Sequence, residues 1–112
     1  MESQVTVTTL TEPLTDLTRA QLRSRVRKDL SHGNFYHVVD LRNLRELDTR
    51  TLAEIIRARR SLREVGGALT LVATQPNILK ILTIAGLDRV IGVHPNEAEA
   101  FAALGVGDLI PA

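Results

Sequence analysis

The chain is predicted to fold as an α/β protein, with a single-layer sheet of four to five strands, mixed but largely parallel, and about four helices. Three observations predict it. Short apolar runs rich in β-branched residues occur at residues 5–10, 35–41 and 68–73. From Phe35 onward these runs alternate with segments of helical periodicity, the pattern of parallel strands joined by crossovers. Glycine or proline stands at the junctions, and no linker, repeat or low-complexity segment interrupts the series.

The first strand, residues 5–10 (VTVTTL), alternates apolar residues with Thr, as a strand burying one face does. Pro13 breaks it, and residues 14–17 read as a short extended piece. Thr18 with Gln21 three residues later forms a plausible capping box for a helix reaching about Ser31, whose buried stripe is Leu22, Val26 and Leu30. Gly33 suits its C-terminal stop. Residues 35–41 are almost continuously apolar, which predicts a central strand covered on both faces.

A charged loop follows, then Asp48-Thr49-Arg50-Thr51 crowds short polar side chains where a helix can begin. Leu52, Ile55, Ala58, Leu62 and Val65 form the buried stripe of that helix, and Gly66-Gly67 ends it. Residues 68–73 read as a buried strand. Pro76 opens a third helix over residues 77–85, which Gly86 closes with Leu87 in the contact that follows such a stop. Residues 90–93 read as a short last strand, and residues 95–104 as an Ala-rich helix with Glu97 and Glu99 near its positive end. The tail from Gly105 is too short to assign.

Composition narrows the function. A chain of 112 residues accommodates one domain, taken as residues 1–112. Fourteen Lys and Arg against thirteen Asp and Glu give a net charge of +1, which argues against nucleic acid or a membrane surface as the main partner. Aromatic residues make up 3%, too few for single-strand stacking platforms. The absence of cysteine removes disulfides, thiol catalysis and Cys-ligated zinc, and fits a cytoplasmic location. No apolar run approaches the ~20 residues of a membrane span, so no membrane insertion is expected. His32, His37 and His94 lack metal-site spacing, and Asp40 and Asp48 have no accompanying His or ligand pattern. Phosphate-binding glycine loops and nucleophile elbows are missing too. Neither catalytic residues, nor a metal, nor any other cofactor is expected.

Chemistry therefore concentrates at the junction after residues 35–41, where a buried strand releases a loop and a helix N-terminus. Asp48 suits an N-cap there and is equally placed to touch a partner. A helical wheel sets Arg59, Arg60 and Arg63 around Ile56, away from the buried stripe. An apolar residue ringed by arginines fits an acidic protein surface; the plainer reading is a solvated face on which Arg60 pairs with Glu64. The third helix has more apolar surface (Ile78, Leu79, Ile81, Leu82, Ile84) than one stripe needs, which serves core packing first and self-association second.

The strand VVDL at residues 38–41, Leu47-Asp48 with a helix directly after, Gly66-Gly67 before LTLV, and the Gly86-Leu87 pair ahead of a small-residue helix resemble the STAS domains of sulfate transporters and anti-sigma factor antagonists. The resemblance spans essentially the whole chain and implies the STAS fold and a non-enzymatic, partner-binding protein of bacterial transcription regulation. In antagonists of this family the loop and helix at an Asp-Ser-Ser/Thr-Gly segment form the contact, and a hydroxyl there is phosphorylated by an anti-sigma factor that is itself a Ser/Thr kinase. Here Asp48 matches the Asp and Thr49 the first hydroxyl, whereas Arg50 replaces the second, usual acceptor and Thr51 the Gly. The resemblance thus makes Thr49, and after it Thr51, the phosphorylation candidates. A second capping box, Thr51 with Glu54, would occupy the Thr51 hydroxyl. The partner-binding set is Asp48, Thr49, Arg50, Ile56, Arg59, Arg60 and Arg63. Other roles that the resemblance allows are an accessory subunit of an ABC lipid-transport ATPase, or a non-phosphorylatable scaffold or homodimer partner.

Overall fold

The computed structural model describes residues 4–104 and 110–111. Its sheet has the order β4-β3-β2-β1-β5, with β1 at Gln4–Thr9, β2 at Tyr36–Asp40, β3 at Ala68–Val72, β4 at Val93–His94 and β5 at Ile110–Pro111. Every pair in it is parallel, so the mixed character expected from sequence is absent among the described residues. Four α-helices accompany it among the described residues: α1 (Asp16–Ser31), α2 (Thr49–Glu64), α3 (Pro76–Ile84) and α4 (Glu97–Ala103).

Topology decides which face each helix covers. From β1 to β4 the chain adds each strand on the same side of the previous one, so crossovers of one hand place α1, α2 and α3 together. The step back from β4 to β5 reverses direction and places α4 opposite. The core divides accordingly. Leu10, Val39, Leu41, Leu69 and Leu71 point to the first face and join Leu22, Ile55, Leu62, Ile78 and Leu82. Val5, Val38 and Val72 point to the other and meet Ala100. Strand β2 lies between β1 and β3 and is buried from His37 to Asp40, the double coverage that its apolar run predicts.

Several local expectations are corrected. Helix α1 starts three residues earlier than predicted. Thr15, in extended conformation, is the N-cap, and Thr18 is the reciprocal partner in the capping box rather than the cap itself. A Thr hydroxyl at that position does the work that the motif assigns to Glu or Gln, so residues 14–17 do not form an extended piece. Val65 leaves the predicted stripe: it is the C-cap of α2 and lies 48% exposed. The strand expected at residues 90–93 begins only at Val93. Gly86, at φ 73°, turns the chain into a 3₁₀ turn at Leu87–Arg89, and the Leu87 carbonyl accepts from the Val90 and Ile91 N–H groups, which drops Ile91 into the core. Of the α3 residues, Ile78 and Leu82 are buried while Leu79 and Ile84 face out. Within the tail, residues 105–109 and 112 lie outside the described residues, and Ile110–Pro111 pairs with β1.

Gly67 has a spatial requirement of its own. A Cβ there would stand 2.1 Å from the Phe35 carbonyl oxygen, so the α2–β3 turn can approach the start of β2 only with glycine.

Candidate protein-docking site

The site grows from the C-terminal end of β2. Asp40 is buried, and its carboxylate accepts from the Arg42 backbone N–H (3.0 Å) and from Arg42 Nε and Nη2 (3.0 and 2.8 Å). Burial pushes the Asp40 pKa up, the Arg42 hydrogen bonds push it down, and the net position is below the usual carboxylate range. The closed Asp40–Arg42 turn and the buried Leu44 and Leu47 anchor the loop, leaving Asp48, Thr49 and Arg50 at the surface.

Asp48 is the N-cap of α2. Its Oδ1 accepts from the Thr51 N–H at 2.7 Å, and Arg19 Nη1 of α1 donates to Oδ2 at 3.3 Å. The Thr51 side chain and then the Thr51 N–H hold its pKa low against partial burial, with Arg19 and Arg50 adding to the effect. Thr51 is 1% exposed; its hydroxyl lies close enough to favour the carboxylate anion but has no partner of hydrogen-bond geometry. The Thr51–Glu54 capping box is therefore not formed. Glu54 turns instead toward α1, accepting from Arg23 Nε and Nη2, both at 3.0 Å, and from Arg57 Nη2 at 3.0 Å. Arg23, then Arg57, keep the Glu54 pKa below the usual range despite its burial.

Along α2 the outward residues form one stripe. Thr49, Ile56, Arg60 and Arg63 stand at i, i+7, i+11 and i+14, all within ~40° of one direction at ~100° per residue. Ile56 is 41% exposed, Arg60 and Arg63 are exposed, and Arg59 is half-buried beside them. Among the described residues no ion pair engages Arg59, Arg60 or Arg63, so the Arg60–Glu64 pair is not made. The structure thus brings Thr49 onto the same surface as Ile56, Arg60 and Arg63, with Asp48 and Arg50 at its end. Thr51 is left underneath.

Three further features escape sequence reasoning. A cavity of about 680 Å³ beside the loop is lined by Glu12, Pro13, Leu14, Arg45, Glu46 and Asp48, and Glu12 ties its two walls by accepting from the Arg45 N–H. A second cavity, about 370 Å³, lies between α1 and α2 and is lined by Arg19, Arg23, Thr49, Arg50, Ala53, Glu54 and Arg57. Beneath α1, His37 is wholly buried: its Nδ1 donates to Asp29 Oδ2 at 3.1 Å, and its Nε2 pairs with the Thr8 hydroxyl at 2.8 Å. All three join residues 29 or more positions apart or on different elements, which local periodicity does not connect. Among the described residues, no group of three or more His, Asp or Glu is arranged to hold a metal ion, and no helix is long and apolar enough to cross a membrane.

A parallel sheet with three helices on one face and a capped, surface-exposed loop-helix junction defines an α/β protein. The chain matches the STAS domain family over residues 2–100, and it belongs to that family. Two solved structures of the protein TM1081 from Thermotoga maritima are similar in fold. The NMR structure aligns with a TM-score of 0.79 at 19% identity, covering 88% of this chain and 80% of that one. The crystal structure, named as that of a candidate anti-sigma factor antagonist, aligns with a TM-score of 0.72 at 18% identity, covering 94% of this chain and 84% of that one.

Proposed function

We propose that this protein is a non-enzymatic bacterial regulator of the anti-sigma factor antagonist type, acting in the cytoplasm by docking on an anti-sigma factor of the Ser/Thr kinase class. The observation that carries the reading is the continuous outward stripe from the Asp48 cap through Thr49 and Ile56 to Arg60 and Arg63, with Arg59 alongside. An apolar centre with cationic surroundings suits a partner that presents an apolar pocket rimmed by carboxylates. Membership of the STAS family and the name given to TM1081 support the same reading.

Thr49 is the residue we assign to regulation. It is exposed at the first position of α2, whereas the Thr51 hydroxyl is covered. A phosphate there adds close to two negative charges at one end of a cationic face, which disfavours an acidic partner. Calorimetric titration with the host's kinase-type anti-sigma factor tests the docking: micromolar or tighter binding is expected, and Ile56→Asp or Arg60→Glu should weaken it at least tenfold while the melting temperature holds. Absence of binding by the folded wild-type chain, or binding indifferent to both variants, overturns the proposal. Co-purification with an ABC ATPase subunit in place of an anti-sigma factor would move the assignment to the lipid-transport role.

A further inference from the structure

The cavity between α1 and α2 gathers arginines from both helices. Four guanidinium groups line it, Arg19, Arg23, Arg50 and Arg57, with a single carboxylate, Glu54. Counting also Asp16 and Asp48, the two other carboxylates that touch these arginines, one positive charge remains in excess. The arginines are not equally committed. Arg19 is buried and held on both sides, at 2.6 Å from Asp16 and 3.3 Å from Asp48. Arg23 and Arg57 share Glu54, which is 4% exposed, but Arg57 reaches it through one Nη alone. Arg50 is 79% exposed, and its one ion pair among the described residues is with Asp16, at 4.0 Å with 90% of that side chain in water, a pair of negligible strength. The one remaining polar wall is Thr49.

We infer that this cavity is an intramolecular receptor for a phosphoryl group on Thr49, closed by Arg50 and Arg57 over a floor made by Arg19 and Arg23. The inference rests on the assignment of Thr49 as the phosphorylated residue. In that step the Thr49 Oγ1 attacks the γ-phosphorus of ATP, the bond from that phosphorus to the β–γ bridging oxygen breaks, ADP leaves, and the hydroxyl proton passes to the kinase's base. The new dianion carries three acceptor oxygens, and planar guanidinium forks satisfy such oxygens in pairs. Arg50 swings inward because the phosphate outcompetes a solvated partner at 4.0 Å. Arg23 and Arg57 contribute donors not used on Glu54, so the α1–α2 link survives. The substitution of arginine for the family's second hydroxyl then supplies the counter-charge for the first. Drawing the phosphate toward α1 also withdraws Arg50 from the end of the docking stripe, which links modification to loss of the partner.

The test installs phosphothreonine at position 49 during synthesis, so that no kinase is needed, and follows the phosphate by ³¹P NMR from pH 4 to 8. The reference is the same chain unfolded in urea, in which the second phosphate pKa is about 6. Expected is a fall of about one unit in the folded protein, with Arg50→Ala and Arg57→Ala each recovering about half of it and Arg89→Ala, on the 3₁₀ turn, recovering none. Both informative arginines are mostly exposed, so their variants fold. A phosphate that titrates in the folded chain as it does in urea overturns the receptor, as does equal recovery by Arg89→Ala. The premise fails separately: an unchanged mass after incubation of the unmodified chain with the anti-sigma kinase and ATP overturns Thr49 as the switch, whatever the titration shows.

Discussion

Replacing Asp48 separates its two roles, since the cap and the docking surface make different demands on the side chain. In Asp48→Ala the 2.7 Å bond from the Thr51 N–H is lost, and an N-cap of this kind contributes about 1 kcal/mol. Arg19 also loses its 3.3 Å contact, a half-exposed ion pair worth a further ~0.5 kcal/mol, although Arg19 keeps Asp16. The sum, about 1.5 kcal/mol, corresponds to a fall of roughly 6 °C in melting temperature for a chain of this length. Asp48→Ser keeps an equivalent cap and loses only the Arg19 contact, so it should fall by about 2 °C. Urea unfolding monitored by circular dichroism reads both, with the midpoint moving and the slope unchanged. If the carboxylate also touches the partner, Asp48→Ser binds as poorly as Asp48→Ala despite its near-native stability. Equal destabilisation by Ser and Ala, or none by Ala, would refute the assignment of Asp48 as the cap that starts α2.

Three further outcomes follow from the geometry. Gly67→Ala places a methyl group against the Phe35 carbonyl and should cost about 3 kcal/mol, whereas Gly66→Ala, strained at φ 81° but with nothing nearby, should cost about 1 kcal/mol; the reverse order in chemical denaturation would show that the close approach is wrong. His37→Leu leaves the buried Asp29 carboxylate without its imidazole partner and should cost about 2–3 kcal/mol, while Asp29→Asn, whose amide oxygen still accepts from Nδ1, should cost less; thermal melts of the two variants decide it. For pH, the carboxyls of Asp29, Asp40, Asp48 and Glu54 are all held below their ordinary values in the folded chain. Their stabilisation is complete above the unfolded pKa values near 4 and is lost as pH falls through the lower folded ones. Melting temperature should therefore hold from about pH 7 to 5 and drop below about pH 4, with Glu54→Gln giving a shallower acid limb; an identical limb would remove Glu54 from the account.

The periodicity of α2 and the double-sided apolarity of β2 were legible because each is a local pattern that burial imposes on consecutive residues. So were the Gly33, Gly66 and Gly86 stops, all at positive φ. The start of α1 was misplaced because a capping box closed by two threonines looks, in one dimension, like a box shifted by one turn. Val65 and Thr51 illustrate the same limit from opposite sides: the apolar residue ends a helix and is exposed, and the polar one sits at N3 and is covered.

The sequence by itself determined the α/β class, the order of the elements, the position of the loop-helix junction and the outward set of Ile56, Arg60 and Arg63, because all of these follow from spacing along one chain. Only the tertiary structure decided that the sheet is parallel throughout, that Asp48 rather than Thr51 carries the cap, and that Thr49 faces a cavity with arginines from two helices. The reason is distance. Arg19 and Arg23 stand some thirty residues from Asp48 and Glu54, and only the packing of α1 against α2 on one face of the sheet brings their charges together.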